Sequence, residues 1–155
     1  MEEFNIPRTP SAYDYPLLIG HLLSTLEVRQ PEQHIVYAEH CRLEYRTFRD
    51  RIHRLANALV ELGVTPGDTV AVMDWDSHRY LECFFAVPMI GAVLHTINIR
   101  LAPEQILYTM NHATDVVVLV HDDFLPLAAT LAPQLPAVRN WIRLAEDTSV
   151  PAPEE

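Results

Sequence analysis

The sequence predicts an α/β fold: a wound, mainly parallel sheet flanked by helices, with a helix and a β-hairpin ahead of it. Three observations predict it. Apolar strand-like runs begin near Thr69, Ala92, Val116 and Asn140, each about 24 residues after the last, and several short strands alternating with helical patterns read as βαβ units. The stretches between them have the spacing of amphipathic helices. Val116–Val120 is apolar at every position, so both faces of that strand need cover, as in a parallel sheet with helices on each side. The spacing suits right-handed crossovers, and no residue-level similarity between the units makes it a sequence repeat.

Taken in order, residues 1–15 mix prolines, tyrosines and small polar residues without periodicity and read as an irregular arm that wraps a neighbour. Pro16–Gln30 sets Leu18, Leu22, Leu23 and Leu26 at spacings of three and four, a helical stripe that Pro31 closes. His34–Glu39 and Cys41–Arg46 are short runs around a polar break, read as a hairpin. Thr47, with Asp50 three residues on, is expected to cap the next helix in the manner of a capping box. Phe48, Ile52, Leu55, Leu59 and Leu62 form its apolar stripe, with Arg49, Arg51, Arg54 and Asn57 largely on the wet side. Gly63 ends that helix in the left-handed conformation, and Pro66-Gly67-Asp68 turns the chain into the strand Thr69–Met73. Ser77 caps the following helix, Gly91 ends it, and Pro103 suits the first turn of another. The α/β unit therefore runs over residues 16–145. The acidic, proline-rich end, 146–155, reads as a linker.

Composition is that of one ordinary globular domain, with 49% hydrophobic and 21% charged residues in 155. A net charge of −10 disfavours nucleic acid or an anionic membrane as partner. All eleven basic residues are arginine, and there is no lysine. Cys41 and Cys83 share no motif and read as free thiols. The acidic, polar start has no signal-peptide pattern, and no apolar run reaches the roughly 18 residues of a spanning helix. A reducing, cytoplasmic setting is the expectation.

The order LANAL…LGV.PGD.VAV, then a short Asp/Ser loop, FFAVPMIGAVLHT.N.RL and PEQI.Y..NHA, running from about Tyr45 to Val120, resembles the opening of the adenylate-forming acyl-CoA synthetases, most closely the medium- and long-chain fatty acid–CoA ligases. The resemblance covers only the front of that family's chain. It implies the partial N-terminal domain of such a ligase. The full enzyme would use ATP, Mg²⁺ and CoA to activate a fatty acid as its adenylate and pass it to the thiol. It also implies a homodimer through the N-terminal region, since fatty acid members often pair that way.

In wound sheets ligands gather at the carboxyl ends of the strands, so those loops hold the candidates. After the first sheet strand, Asp74, Asp76 and His78 have the chemistry for a metal or for proton transfer. The competing and preferred reading is structural, with Asp76 and Ser77 capping a helix whose dipole favours negative charge. After the second, His95 reads first as a hydrogen-bonded core histidine. Asn98 suits a turn, and Arg100 suits an anionic ligand or a neighbouring carboxylate. His95, Asn98 and Arg100 are the weak cofactor-binding candidates. His121, Asp122 and Asp123 read as a solvated loop. No HExxH, HxxxH, CxxC or GxSxG occurs.

The resemblance gives weight to what is missing. Family members bind the ATP phosphates with a Ser/Thr/Gly-rich loop containing a lysine, and a second lysine serves adenylation. Here Gly20, Gly63, Gly67 and Gly91 are dispersed and no lysine exists. A phosphate cradle needs clustered backbone N–H groups. The expectation is a scaffold portion of a ligase with no catalytic residue, no metal site and no cofactor of its own. The alternative is a stand-alone truncated relative acting as a protein-interaction module.

Overall fold

The computed structural model describes residues 9–145 apart from Asp14, Leu17 and His40, with the side chains of 26–29 set aside. Most of the expected arm and the whole of the linker lie outside the described residues. Helix α1 (Ile19–Arg29) leads into an antiparallel hairpin of β1 (His34–Tyr37) and β2 (Cys41–Glu44). Helix α2 (Tyr45–Glu61) follows at once. Then come β3 (Thr69–Met73), α3 (His78–Met89), β4 (Val93–Thr96), α4 (Pro103–Ala113), β5 (Asp115–His121), α5 (Leu125–Leu131) and β6 (Asn140–Leu144). Strands β3 to β6 form one parallel sheet in the order β4-β3-β5-β6.

The two faces of that sheet bury alternate residues of the same strands. Val70, Val72, Val117 and Leu119 pack against Leu59 of α2 and Cys83 and Val87 of α3. Ala71, Met73, Val118 and Val120 pack against Ile106 and Met110 of α4 and Ala128 and Leu131 of α5. This is why Val116–Val120 of β5 is apolar at every position: helices cover both faces of the sheet there. Each Val, Leu, Ile or Met side chain among them taken fully out of water contributes roughly 1.5–3 kcal/mol before the entropy of ordering is counted. A third cluster, Leu23, Phe48, Ile52, Ala56 and Ala86, joins α1, α2 and α3 into an outer layer.

The turns form where glycine and proline require them. Gly63 and Gly91 follow α2 and α3 at φ +82° and +79°, the left-handed position that ends a helix. A Cβ on Gly91 would lie 3.1 Å from Pro66, so this glycine also permits a close approach. The turn before β3 closes with the Asp68 N–H donating to the Thr65 carbonyl at 3.0 Å.

Three local expectations need correction. Neither Thr47 nor Asp50 caps α2: the helix starts at Tyr45, with Glu44 extended before it and making no side-chain cap. Its leading N–H groups instead reach backbone carbonyls, Tyr45 to Gln33 at 2.9 Å and Arg46 to Pro31 at 3.3 Å. With those donors satisfied by the loop before the hairpin, no side-chain cap is called for. The α1 stripe is only partly inward, because Leu23 is buried while Leu18 and Leu22 are exposed. In α2, Leu62 lies exposed past the last turn and Ala56 takes a place in the stripe.

Candidate functional site at the carboxyl edge of the sheet

From β3 the chain steps to β4 on one side, then crosses back to β5 on the other. The strand order thus reverses between β3 and β5, and a crevice outside their carboxyl ends is where wound sheets take ligands. Here the chain's own side chains occupy it. Trp75, just past β3, donates its indole N–H to Asp123 at 2.8 Å and lies 4.8 Å, centroid to centroid, from Phe124. Asp122 takes a two-pronged ion pair from Arg143 of β6, at 2.5 and 2.8 Å. This pair holds the Asp122 carboxyl below its usual range. His121 is buried, and its Nδ1 accepts the Asp123 N–H at 3.2 Å. The expected solvated loop is therefore a fastened turn: a buried histidine followed by the 3₁₀ segment Asp122–Phe124.

Beneath it, Asp74 is 4% exposed and accepts the Ser77 hydroxyl, while its Oδ1 has no hydrogen-bond partner. Burial pushes its carboxyl pKa up, against the opposing pull of Ser77, His121 and Arg79. Ser77 caps α3 as expected, accepting the Tyr80 N–H at 3.2 Å. Asp76 has no part in that cap and is exposed.

The three weak candidates separate. Asn98 and Arg100 line a recess of about 360 Å³ with Asp74, Trp75, Asp76 and Tyr80. Asn98 Oδ1 accepts the Arg100 N–H at 3.1 Å, the turn role its residue type suggests. His95 is elsewhere: its Nδ1 lies 2.8 and 3.0 Å from the two oxygens of Asp115, a wholly buried carboxylate at the head of β5. His95 is thus hydrogen-bonded, though its side chain is 19% exposed rather than fully in the core. Burial raises the Asp115 pKa, and the His95 contact partly offsets this.

Two charged residues were not singled out by sequence reasoning. Arg79 and Glu82 of α3 are both buried. Glu82 receives Arg51 of α2 at 2.5 and 3.4 Å, so Arg51 does not belong with the wet-side arginines. Even so, burial leaves the Glu82 carboxyl raised. Arg79 donates to the carbonyl of Ala145 at 2.6 Å. The signal was present: Arg79, Glu82, Cys83 and Ala86 fall at spacings of three and four on one helical face.

The fold and its edge can be set beside known proteins. The model of the AMP-binding enzyme family matches residues 25–154. The chain belongs to the AMP-binding enzymes. It is 46% identical over 99 residues to a medium-chain-fatty-acid–CoA ligase of Ectopseudomonas oleovorans, covering 64% of this chain and 18% of that protein. It is 42% identical over 105 residues to a long-chain-fatty-acid–CoA ligase of Thermus thermophilus, covering 68% and 19%. Among solved structures, an anthranilate CoA ligase in complex with anthranoyl-AMP matches with a TM-score of 0.79 at 25% identity, over 84% of this chain and 26% of that one. A fatty acyl CoA synthetase of Mycobacterium tuberculosis matches in fold at 0.76, over 81% and 26%. The chain thus spans about a fifth of the length of these curated relatives.

ATP and magnesium, which the family implies, do not fit the residues at this edge. Asp74 and Asp76 face the recess that holds Arg100, and a triphosphate would meet those carboxylates. Trp75 and Phe124 pack together, 4.8 Å between centroids, across the crevice between the ends of β3 and β5. Among the described residues no group of three His, Cys, Asp or Glu could hold a metal ion. Among them, too, no helix is long and apolar enough to cross a membrane.

Proposed function

We propose that this chain is the N-terminal scaffold portion of a cytoplasmic, ATP-dependent fatty acid–CoA ligase. The whole enzyme attacks the α-phosphate of ATP with a fatty acid carboxylate, forming the acyl-adenylate and releasing pyrophosphate, then transfers the acyl group to the CoA thiol and releases AMP. Identity of 46% to a medium-chain ligase, over 99 residues, is the observation that carries this reading. The contacts of Trp75 with Asp123 and Phe124 across the crevice support the scaffold role, with ATP, Mg²⁺ and CoA bound by residues outside this chain. Asn98 and Arg100 are then turn and rim residues rather than ligands, and pairing of two copies runs through the N-terminal region.

The test is pyrophosphate release. The 155-residue chain with ATP, Mg²⁺, CoA and a medium-chain fatty acid is expected to give none above a blank without acid. Acid-dependent release would overturn the scaffold reading.

A second reading, a stand-alone interaction module, draws on the exposed apolar residues Val36, Leu81 and Phe84 along a groove between β1 and α3. The intact mass in the source cells separates the two. A mass far above 17.7 kDa favours the ligase, and a mass of 17.7 kDa favours the module.

A further inference from the structure

Arg79 is an unusual residue for its place. It lies among the buried residues of α3, is 9% exposed, and among the described residues no carboxylate is hydrogen-bonded to it. One guanidinium nitrogen donates to the Ala145 carbonyl at 2.6 Å, and Nε has no partner. Burying a guanidinium on a single neutral hydrogen bond is costly. The surroundings offset this: Asp74, Glu82 and Asp122 each feel its positive charge, from the end of β3, from α3 and from the turn after β5. Arg79 thus stands where three acidic positions converge, and among the described residues its hydrogen bond goes to the residue immediately after β6.

We propose that Arg79 is a positioning residue that fixes the path of the chain as it leaves β6, holding Ala145 against the carboxyl edge of the sheet. The parallel ladder ends at Leu144, which is paired with His121, so beyond that point the backbone needs another restraint. An arginine suits the task better than a lysine, because its fork can bond a carbonyl while the remaining charge stays in the field of the carboxylates. In a ligase this would set the direction in which later parts of the protein approach the recess bearing Asn98 and Arg100. That consequence rests on the reading as a scaffold; the restraint itself does not.

The experiment compares the full chain with its R79M variant by amide deuterium uptake and by the rate of tryptic cleavage after Arg143. Loss of a hydrogen bond from a charged donor should speed exchange and cleavage over residues 143–145 by about tenfold or more, with residues 69–73 and 116–120 within about twofold of wild type. Unchanged rates at 143–145 would overturn the proposal. So would a uniform rise across the sheet, which would make Arg79 a packing residue only. Should R79M fail to fold, R79Q, which keeps a polar side chain without the charge, is read by the same two criteria. Neither readout involves catalysis, so an inactive chain leaves the outcome intact.

Discussion

The two ends of the sheet treat their buried and half-buried carboxylates differently. At the amino end, Asp68 accepts the Thr65 N–H and hydroxyl at 2.9 and 3.0 Å and Arg139 at 3.1 Å. These bonds, the Thr65 N–H first, hold its pKa below the usual range. Asp115 at the same end has both oxygens within 3.0 Å of one ring nitrogen of His95. At the carboxyl end, Asp74 is equally hidden but keeps an oxygen without a partner, and Arg79 keeps an unbonded Nε. One end closes upon itself, while the other carries polar groups that its own side chains leave incompletely bonded. The amino end leaves no buried side-chain polar atom of Asp68 or Asp115 unbonded, whereas the carboxyl end does, and that is the edge where wound sheets place ligands.

The largest expected effect sets the scale for both ends. Leu59→Ala removes a wholly buried side chain shared by α2, β3 and β5 and should cost about 2–5 kcal/mol in urea unfolding. A loss below about 1 kcal/mol would mean that this face of the core does not govern stability. Next comes the amino end. Asp115→Ala takes away the partner of His95 and should cost about 1–3 kcal/mol by the same measurement, from a polar group left without its bond. A neutral result would make the His95–Asp115 contact incidental and weaken the contrast.

How much of this was legible follows from where the information lies. The parallel sheet could be read because β5 is apolar on consecutive residues and because Gly63, Gly91 and the Pro66–Asp68 turn mark the joins locally. The start of α2 could not, since its first N–H groups are met by the carbonyls of Pro31 and Gln33, a tertiary contact that no capping pattern encodes. The site divided in the same way. Asn98 behaves as its residue type suggests, within its own turn. The partner of His95 is 20 residues on and across β3, where Ala71, small and opposite His95 in register, leaves room between them. Arg79 and Glu82 lay on an apolar helical face, and only the fold reveals what their charges meet.

The carboxyl end can be tested through pH. Burial raises the Asp74 pKa in the folded chain above its unfolded value. Its contribution to stability is therefore full below the ordinary carboxyl range, about pH 4, and is lost as pH rises through the raised value. D74N retains an acceptor for Ser77 without the charge. The variant should match wild type in acid and become the more stable of the two as pH rises towards neutrality, followed as Tm against pH. A constant difference at all pH values would show that Asp74 does not titrate between the folded and unfolded chains. A less stable variant at neutral pH would show that the charges of Arg79 and His121 outweigh burial.

The smallest effect is expected at the amino end and bears on what closes it. Arg139→Ala removes the ion pair to Asp68, a pair with side chains 51% and 24% exposed. It should cost no more than about 1 kcal/mol. That loss should shrink in about 1 M salt, where charges are screened within roughly 3 Å. Asp68 has a lowered pKa, so its contribution is present above the ordinary carboxyl range and lost as pH falls through the lowered value. Because the Thr65 N–H is the first cause of that shift, R139A should keep most of this acid-side loss. If instead R139A flattens the acid limb, the ion pair is what closes the amino end. That end would then be as dependent on a single charged contact as Arg79 makes the carboxyl end, and the distinction between the two would fail.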